Sequence, residues 1–379
     1  MSGEPVVARL APGVAAFDAA DWDRCAGMDD PFVSHAFLAA LEESGSAVAA
    51  TGWQPLPVAI DGPDGRPDAV MPAYVKSHSL GEYVFDHGWA DAWERAGGAY
   101  YPKLQIAVPF TPVPGRRLLA RVPALAPALI AAAERMVEAH GLSSAHATFV
   151  AAEEVPLFRA AGWLIRADSQ FHWLNEGFGS FDDFLATLSS RKRKAIRRER
   201  RLAVEGLEIV AKAGAEIGEA DWDAFWAFYQ DTGLRKWGRP YLTRRFFSLL
   251  GERLAGRVLL ILALRDGRPV AGALNLIGSQ ALYGRYWGCA ETVPHLHFEL
   301  CYYRAIEVAI ARGLKRVEAG AQGAHKLARG YRPVPTWSAH HIADPAFREA
   351  VARFLEAERR AVVREIEMLG EFAPFRKGG

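Results

Sequence analysis

Two stretches of the chain repeat one alternation of apolar runs and turns. In the first, Leu56-Pro57-Val58-Ala59-Ile60 is followed by Asp64-Gly65-Arg66-Pro67 and then by the apolar run Ala69 to Val75. In the second, Leu259 to Leu264 is followed by Asp266-Gly267-Arg268-Pro269 and then by Ala271 to Ile277. Apolar runs on either side of an Asp-Gly pair predict β-hairpins. An aromatic strand is expected after each hairpin, at Glu82-Tyr83-Val84-Phe85 and at Leu282 to Trp287. Each half then carries an apolar helix that exits through Gly-Leu into a short strand. The first helix spans Pro127 to His140, with Gly141-Leu142 and the strand Ala145 to Val150; the second spans Phe298 to Arg312, with Gly313-Leu314 and the strand Arg316 to Ala319. Apolar residues at 298, 302, 305, 306 and 309 have the helical period. Gly313 stands where a left-handed helix cap belongs. The first half has an extra segment, Tyr100 to Arg117, with four prolines.

Hairpin, strand, helix, strand is the core order of a GNAT fold, and it occurs twice. The expected fold class is therefore mixed α/β (α+β): tandem GNAT-like domains, each a mixed, mainly antiparallel sheet with flanking helices. The expected domains are 1–165, 166–344 and a C-terminal helix in 345–379 that packs back on the body. Ser34 is placed to start a helix before Ala36 to Leu41. Phe181 to Gly206 reads as one long helix and Asp221 to Asp231 as another, whose Trp222, Phe225, Trp226, Phe228 and Tyr229 have the spacing of packing residues. The tail Pro345 to Leu369 is amphipathic, with apolar residues at 347, 351, 354, 355, 362 and 366.

Composition narrows the class. The chain has 379 residues, half of them hydrophobic, which is globular and too long for one ordinary core. A formal net charge of +1 gives no global reason to bind DNA. Cys25, Cys289 and Cys301 are odd in number and include no CxxC, which argues against a disulfide framework and a cysteine zinc site; no metal is expected. The N-terminus lacks a basic region followed by an apolar run, and no stretch approaches the ~20 apolar residues of a membrane span. A cytoplasmic protein is expected; oligomeric state is not legible.

The segment from His297 carries a family resemblance. It reads His-Phe-Glu-Leu-Cys-Tyr-Tyr-Arg-Ala-Ile-Glu, and later Gly320-Ala321-Gln322-Gly323-Ala324-His325-Lys326-Leu327-Ala328-Arg329-Gly330-Tyr331 and Thr336-Trp337-Ser338-Ala339-His340-His341. With Tyr100 to Leu104, Pro109 to Pro112, Gly115 to Leu119 and Trp237 to Leu242, these motifs resemble the FemAB-like, peptidoglycan biosynthesis or recognition branch of the GNAT superfamily. That branch is distantly similar to the FemABX aminoacyltransferases, which join amino acids from aminoacyl-tRNA to a peptidoglycan precursor. The resemblance implies N-acyl or N-aminoacyl transfer to an amine, on a cell-wall precursor or a small metabolite. It departs at Ala324, where the family usually has Glu.

Amide formation from an activated acyl group needs alignment, a proton acceptor and a stabilised oxyanion. Alignment supplies up to about 7–11 kcal/mol. The densest polar cluster is Glu318, Gln322, His325, Lys326 and Arg329, closing at Tyr331 and bounded by Gly320, Gly323 and Gly330. His325 is the expected acid or base, with Lys326 and Arg329 on an anionic group. His297 and Glu299 are further catalytic candidates, read against a helix-start role for the carboxylate. Lys103, Arg116, Trp237 and Tyr241 are expected to contact substrate. Residues 191–201 hold eight basic side chains in eleven, and Arg193, Lys194, Arg197 and Arg198 are candidates for an anion or tRNA face, against the alternative of a solvated helix. Neither half shows a glycine-rich pyrophosphate loop before its helix, although Gly115 to Arg117 could hold phosphate. The donor is left between acyl-CoA and aminoacyl-tRNA. The alternatives to aminoacyl transfer are an acyl-CoA-dependent N-acetyltransferase on a small amine and a non-catalytic ligand-binding protein.

Overall fold

A computed structural model of the chain describes residues 6–237, 240–320, 323–371 and 374–375, with side chains at all of these except 235–237 and 324. The chain forms two compact units. One comprises Met1–Asp168 and Pro335–Val363, the other Ser169–Val334 and Arg364–Gly379. The sequence boundary at 165 lies three residues from the first crossing. Residues 335–344, expected with the second half, join the first instead. The reason is pairing: Trp337 to Ile342 run antiparallel to Ser144–Val150.

In the first unit the predicted hairpin is Val58–Asp61 with Pro67–Met71, paired from Val58↔Met71 onward. Ala8–Leu10 and Leu119–Ala120 complete its sheet. A second sheet contains Trp53–Pro55, Ala73–Lys76, Lys103–Ile106 and Ser144–Val150. Lys103–Ile106 and Ser144–Val150 are parallel, joined across the helix Ala126–Ala139. That helix buries Leu129, Ile130, Ala133, Met136 and Val137 on one face. Glu82 to Phe85 is not the expected strand. It is loop, because Glu82 is buried and turned onto Lys103 rather than alternating with its neighbours. The C-terminal helix Pro345–Glu371 sets Phe347, Val351 and Leu355 against Trp89 and Tyr100.

The second unit repeats the order with better definition. Val258–Arg265 and Arg268–Ile277 form the hairpin, and Ala281–Cys289 follows as the aromatic strand. The helix Glu219–Trp237 packs Phe225 and Phe228 on these strands. Gly288 is required there, since a Cβ would stand 2.3 Å from the Phe228 carbonyl oxygen. Arg316–Glu318 then pairs in parallel with Ala281 to Tyr283, and antiparallel with His172 to Leu174.

Two helices depart from the sequence reading. Residues 181–206 form two helices, Phe181–Thr187 and Ser190–Ala203. The break falls at Leu188-Ser189, where the Ser189 N–H donates to the Pro374 carbonyl and Leu188 bridges Phe375. The helix from 298 to 312 also divides: Leu296–Phe298 and Arg304–Ala311 flank a wider π-turn, Glu299–Tyr303. Such turns add a residue and rotate the side chains that follow.

Glu299 is wholly buried at the start of that turn. Its carboxylate accepts from Arg200 through Nε and Nη2, both at 2.9 Å, and lies 2.8 Å from Arg304 Nε. Arg200 also donates to Glu307 at 2.6 Å. The basic helix Ser190–Ala203 is thereby clamped to the broken helix. Removing one partner of a buried pair strands the other charge. Glu299→Ala is expected to lower stability by about 3 kcal/mol, the low end for such pairs because Arg304 retains 36% side-chain exposure. Urea unfolding, with the slope unchanged and the midpoint lowered, measures this.

A second buried polar network lies in the first unit. Lys103 donates to Ser79 at 2.8 Å, to Glu82 at 2.7 Å and to Asp86 at 2.5 Å. Tyr100 donates to Asp86 at 2.7 Å, and its oxygen lies 3.3 Å from His146 Nε2. His146 and His340 meet through their Nδ1 atoms at 2.7 Å, a contact that needs one hydrogen between them, so at least one ring is neutral. Burial, then the Lys103 ammonium, pushes His146 down to about 3; burial and His146 push His340 well below the ordinary histidine range. The unfolded chain takes up protons below about pH 6.5 that the folded pair refuses. Stability contributed by the pair is therefore complete above about 6.5 and falls as pH drops toward 3. A variant carrying His146→Gln and His340→Gln is expected to lose less of its own stability between pH about 7 and about 5 than the parent does. Equilibrium unfolding across that range checks it, and parallel slopes would refute the assignment.

Candidate active site

In the second unit two parallel strands pair briefly and then part. Ala281↔Arg316, Leu282↔Val317 and Tyr283↔Glu318 are the paired residues. Arg316–Glu318 ends there, while its partner continues to Cys289. A cavity of about 110 Å³ opens in the gap. Gly284 to Trp287 form one wall and Ala319 the other; Ala273, Leu274 and Asn275 come from the adjoining strand, and His297, Cys301 and Tyr302 from the broken helix. The strand carrying Asn275 shifts register between Leu274 and Asn275, which turns a polar side chain out of an apolar run. Asn275 is 1% exposed, and its Oδ1 has no hydrogen-bond partner among the described residues.

The π-turn presents Cys301 and Tyr302 to this cavity while Glu299 points back to Arg200 and Arg304. The Tyr302 hydroxyl lies 2.9 Å from His325 Nε2. Burial, with Cys301 adding to it, holds the Tyr302 phenol well above its ordinary range, so it stays a hydroxyl at neutral pH. His297 packs its ring 5.3 Å from Tyr302 and 6.3 Å from His325. The segment Ala324–Arg329 supplies the remaining charges. Lys326 is buried, donates to the Gly320 carbonyl at 2.7 Å, and is pushed down to about 8 by burial, against the pull of Cys301. Arg329 stacks 3.3 Å over the Phe298 ring and donates to the His325 carbonyl and to Glu199, the latter at 2.9 Å. Tyr303 donates to the same Glu199 oxygen. Tyr331 is fully buried and stacks edgewise on Tyr302 at 5.4 Å.

Of the sequence candidates, His297 thus lines the cavity, His325 and Tyr331 contact its Tyr302, Arg329 reaches the His325 carbonyl, and Lys326 is held by the Gly320 carbonyl. Glu299 is consumed by its two arginines. Glu318 is buried against Arg316 at 2.7 Å, with His172 at 3.7 Å, and burial raises its carboxyl. Tyr241 lies in a loop whose backbone N–H groups at 241 and 242 donate to the Tyr229 hydroxyl. Lys103 is sealed by Glu82 and Asp86 in the first unit. Arg116 donates to the carbonyls of Leu118 and Ala120. The possible phosphate turn at Gly115 to Arg117 already holds an anion of its own: the Glu154 carboxylate accepts from the N–H groups of Arg117 and Leu118 at 2.9–3.0 Å. The Trp237 side chain and Gln322 lie outside the described residues. Tyr302, Cys301 and Asn275 were not singled out by sequence; Asn275 had a signal, as the lone polar residue within Ala271 to Ile277.

The basic helix has two faces. Ile196, Glu199, Arg200 and Ala203 turn inward, and Glu199 and Arg200 bind Arg329 and Glu299. Arg191, Lys194, Arg198 and Arg201 recur at intervals of three, four and three and are all exposed. No ion pair reaches these four among the described residues. Arg193 is half-buried, and Arg197 pairs with Asp182 at 2.7 Å. Before the broken helix, Glu291 is held by Arg265 at 3.0 Å where a phosphate-binding loop would need donors. Among the described residues no cluster of His, Cys, Asp and Glu could hold a metal ion, and no helix is long and apolar enough to cross a membrane. A larger cleft of about 490 Å³ in the first unit is walled by Val6, Val7, Leu10 and the alanines of helix Ala126–Ala139, and gathers no comparable chemistry.

Known proteins sharing this fold include FemX, at TM-score 0.53 and 12% identity over 82% of this chain and 93% of that one. L-PGS from Bacillus licheniformis gives 0.51 and 12%, over 86% and 98%. A protein of Mycobacterium tuberculosis named "Putative 8-amino-7-oxononanoate synthase 2" is 27% identical over 214 residues, 52% of this chain; the chain spans 26% of that relative's length. Residues 13–377 match the FemAB-like family, described as peptidoglycan biosynthesis/recognition, and the chain belongs to that family.

Proposed function

We propose that the chain transfers an acyl or aminoacyl group from an activated donor to an amine, with the reacting carbonyl in the cavity where strands 281–289 and 316–318 part. The observation that carries this reading is the joint placement of Tyr302 and His325: one side chain lines the cavity, and its hydroxyl reaches the other at 2.9 Å. A positioned phenol can protonate the leaving group as the carbonyl carbon changes partners. His325 then restores that proton, having accepted one from the attacking amine. Membership of the FemAB-like family supports the same class of reaction.

Aminoacyl-tRNA is the favoured donor. Four exposed cations on one helix face suit a polyanion, and the inner face of that helix is tied to Arg329 and Glu299 beside the cavity. Acyl-CoA is the second donor reading; the Arg265–Glu291 pair and the lack of a glycine cluster before the helix count against it. The acceptor would be an amine on a cell-wall precursor, or on another headgroup of comparable chemistry.

Two outcomes follow. His325→Ala and Tyr302→Phe are each expected to lower kcat by about 10²- to 10⁴-fold with the melting temperature kept; an unchanged rate removes the residue from the chemistry. Filter retention of aminoacyl-tRNA over a salt series is expected to show steep dependence. Replacing Arg191, Lys194, Arg198 and Arg201 with Ala should flatten the slope by up to about 3.5. An unaltered slope would move the donor to acyl-CoA, and binding of neither donor would favour a non-catalytic role.

A further inference from the structure

Cys301 is a nucleophilic side chain in the cavity wall that the direct-transfer mechanism leaves idle. It forms no disulfide and is half-buried. Its position is not that of a stray core thiol. The π-turn places it beside Tyr302, so that both line the same cavity. A straight helix would carry these residues to other angles.

A second observation points to an occupant there. Asn275 lines the cavity, is 1% exposed, and among the described residues its Oδ1 is unpaired while its amide nitrogen donates to the Ala273 carbonyl. An acceptor left unpaired at such depth costs free energy unless a bound group supplies an N–H or O–H. A thiol and an unfilled acceptor in one cavity fit an acyl carbon on the first and an amine on the second.

Resting on the acyl-transfer reading, we propose that Cys301 is a catalytic nucleophile that carries the acyl group as a thioester between donor and amine. In the first step the thiol proton passes by way of the Tyr302 hydroxyl to His325, whose Nε2 lies 2.9 Å from it, and Sγ attacks the donor carbonyl. The Sγ–C bond forms, the carbon–oxygen bond of the donor ester breaks, and the leaving oxygen takes the proton through the Tyr302 hydroxyl. In the second step the amine, oriented by an N–H to Asn275 Oδ1, attacks the thioester. The C–N bond forms, the C–S bond breaks, and one amine proton returns to Sγ. Nothing is oxidised or reduced, and the net products are the amide and the free donor alcohol.

The test uses the full chain and p-nitrophenyl acetate as a small activated ester, quenched in acid and read by intact-mass and peptide mass spectrometry. The expected result is one acetyl group on Cys301, lost on neutral hydroxylamine and discharged to a primary amine added in excess. Cys289→Ala should retain the adduct; Cys301→Ser should lose its hydroxylamine-labile form at an unchanged melting temperature. Acetylation only elsewhere, or an adduct that no amine discharges, overturns the proposal. Amide formation by Cys301→Ala at the parental rate also overturns it, yet leaves acyl transfer standing. Absence of amide product from the parent with aminoacyl-tRNA and acyl-CoA alike is the separate result that removes the underlying reading.

Discussion

A buried carboxylate cannot remain charged without partners, and Glu299 has two arginines for this purpose. Its position at the first residue of the π-turn makes that requirement shape the second unit. The extra residue of the turn lets Glu299 face Arg200 on one side while Cys301 and Tyr302, two and three residues on, line the cavity on another. A regular helix could not satisfy both with this spacing, because residues i and i+3 share a face. The break in the helix is thus a consequence of the ion pair and a precondition of the cavity wall.

The two units share an order of elements but dispose of charge differently. In the first, Lys103, Asp86, Glu82 and the His146–His340 pair bind one another in the interior, although Glu82 Oε1 and Asp86 Oδ1 have no hydrogen-bond partner among the described residues. Glu154 fills the turn at Arg117 and Leu118 that would otherwise bind an anion. In the second, Arg329 and Lys326 contact Glu199 and a backbone carbonyl beside a cavity, and Asn275 keeps an unpaired oxygen.

What was legible in the sequence was local. Asp-Gly turns at 64–65 and 266–267 specify their hairpins because the backbone conformation is decided within a few residues, and Gly65 and Gly267 adopt positive φ as required. The Gly-bounded cluster at His325, Lys326 and Arg329 was visible for the same reason. What escaped depended on distant partners. The break at Leu188-Ser189 is set by Pro374 and Phe375, near the other end of the chain. Glu82 left its expected strand for Lys103. Tyr302 had helical spacing and looked like a packing residue until the π-turn gave it another direction.

The basic helix brings these threads together. Its charge alone fits a solvated surface, and its outer face, taken singly, would support no more than that. The inner face changes the weighting. Glu199 accepts from both Arg329 and Tyr303, and Arg200 holds Glu299 at the start of the π-turn. A donor that engages Arg191, Lys194, Arg198 and Arg201 therefore pulls on a rigid element whose opposite side fixes the cavity wall. Rigid placement of a polyanion-binding face against a reacting site is what intramolecular alignment demands, and alignment is the largest single contribution available to a reaction with so little covalent chemistry of its own. In the proposed reaction the same helix would serve both capture of the donor and orientation of its acyl group.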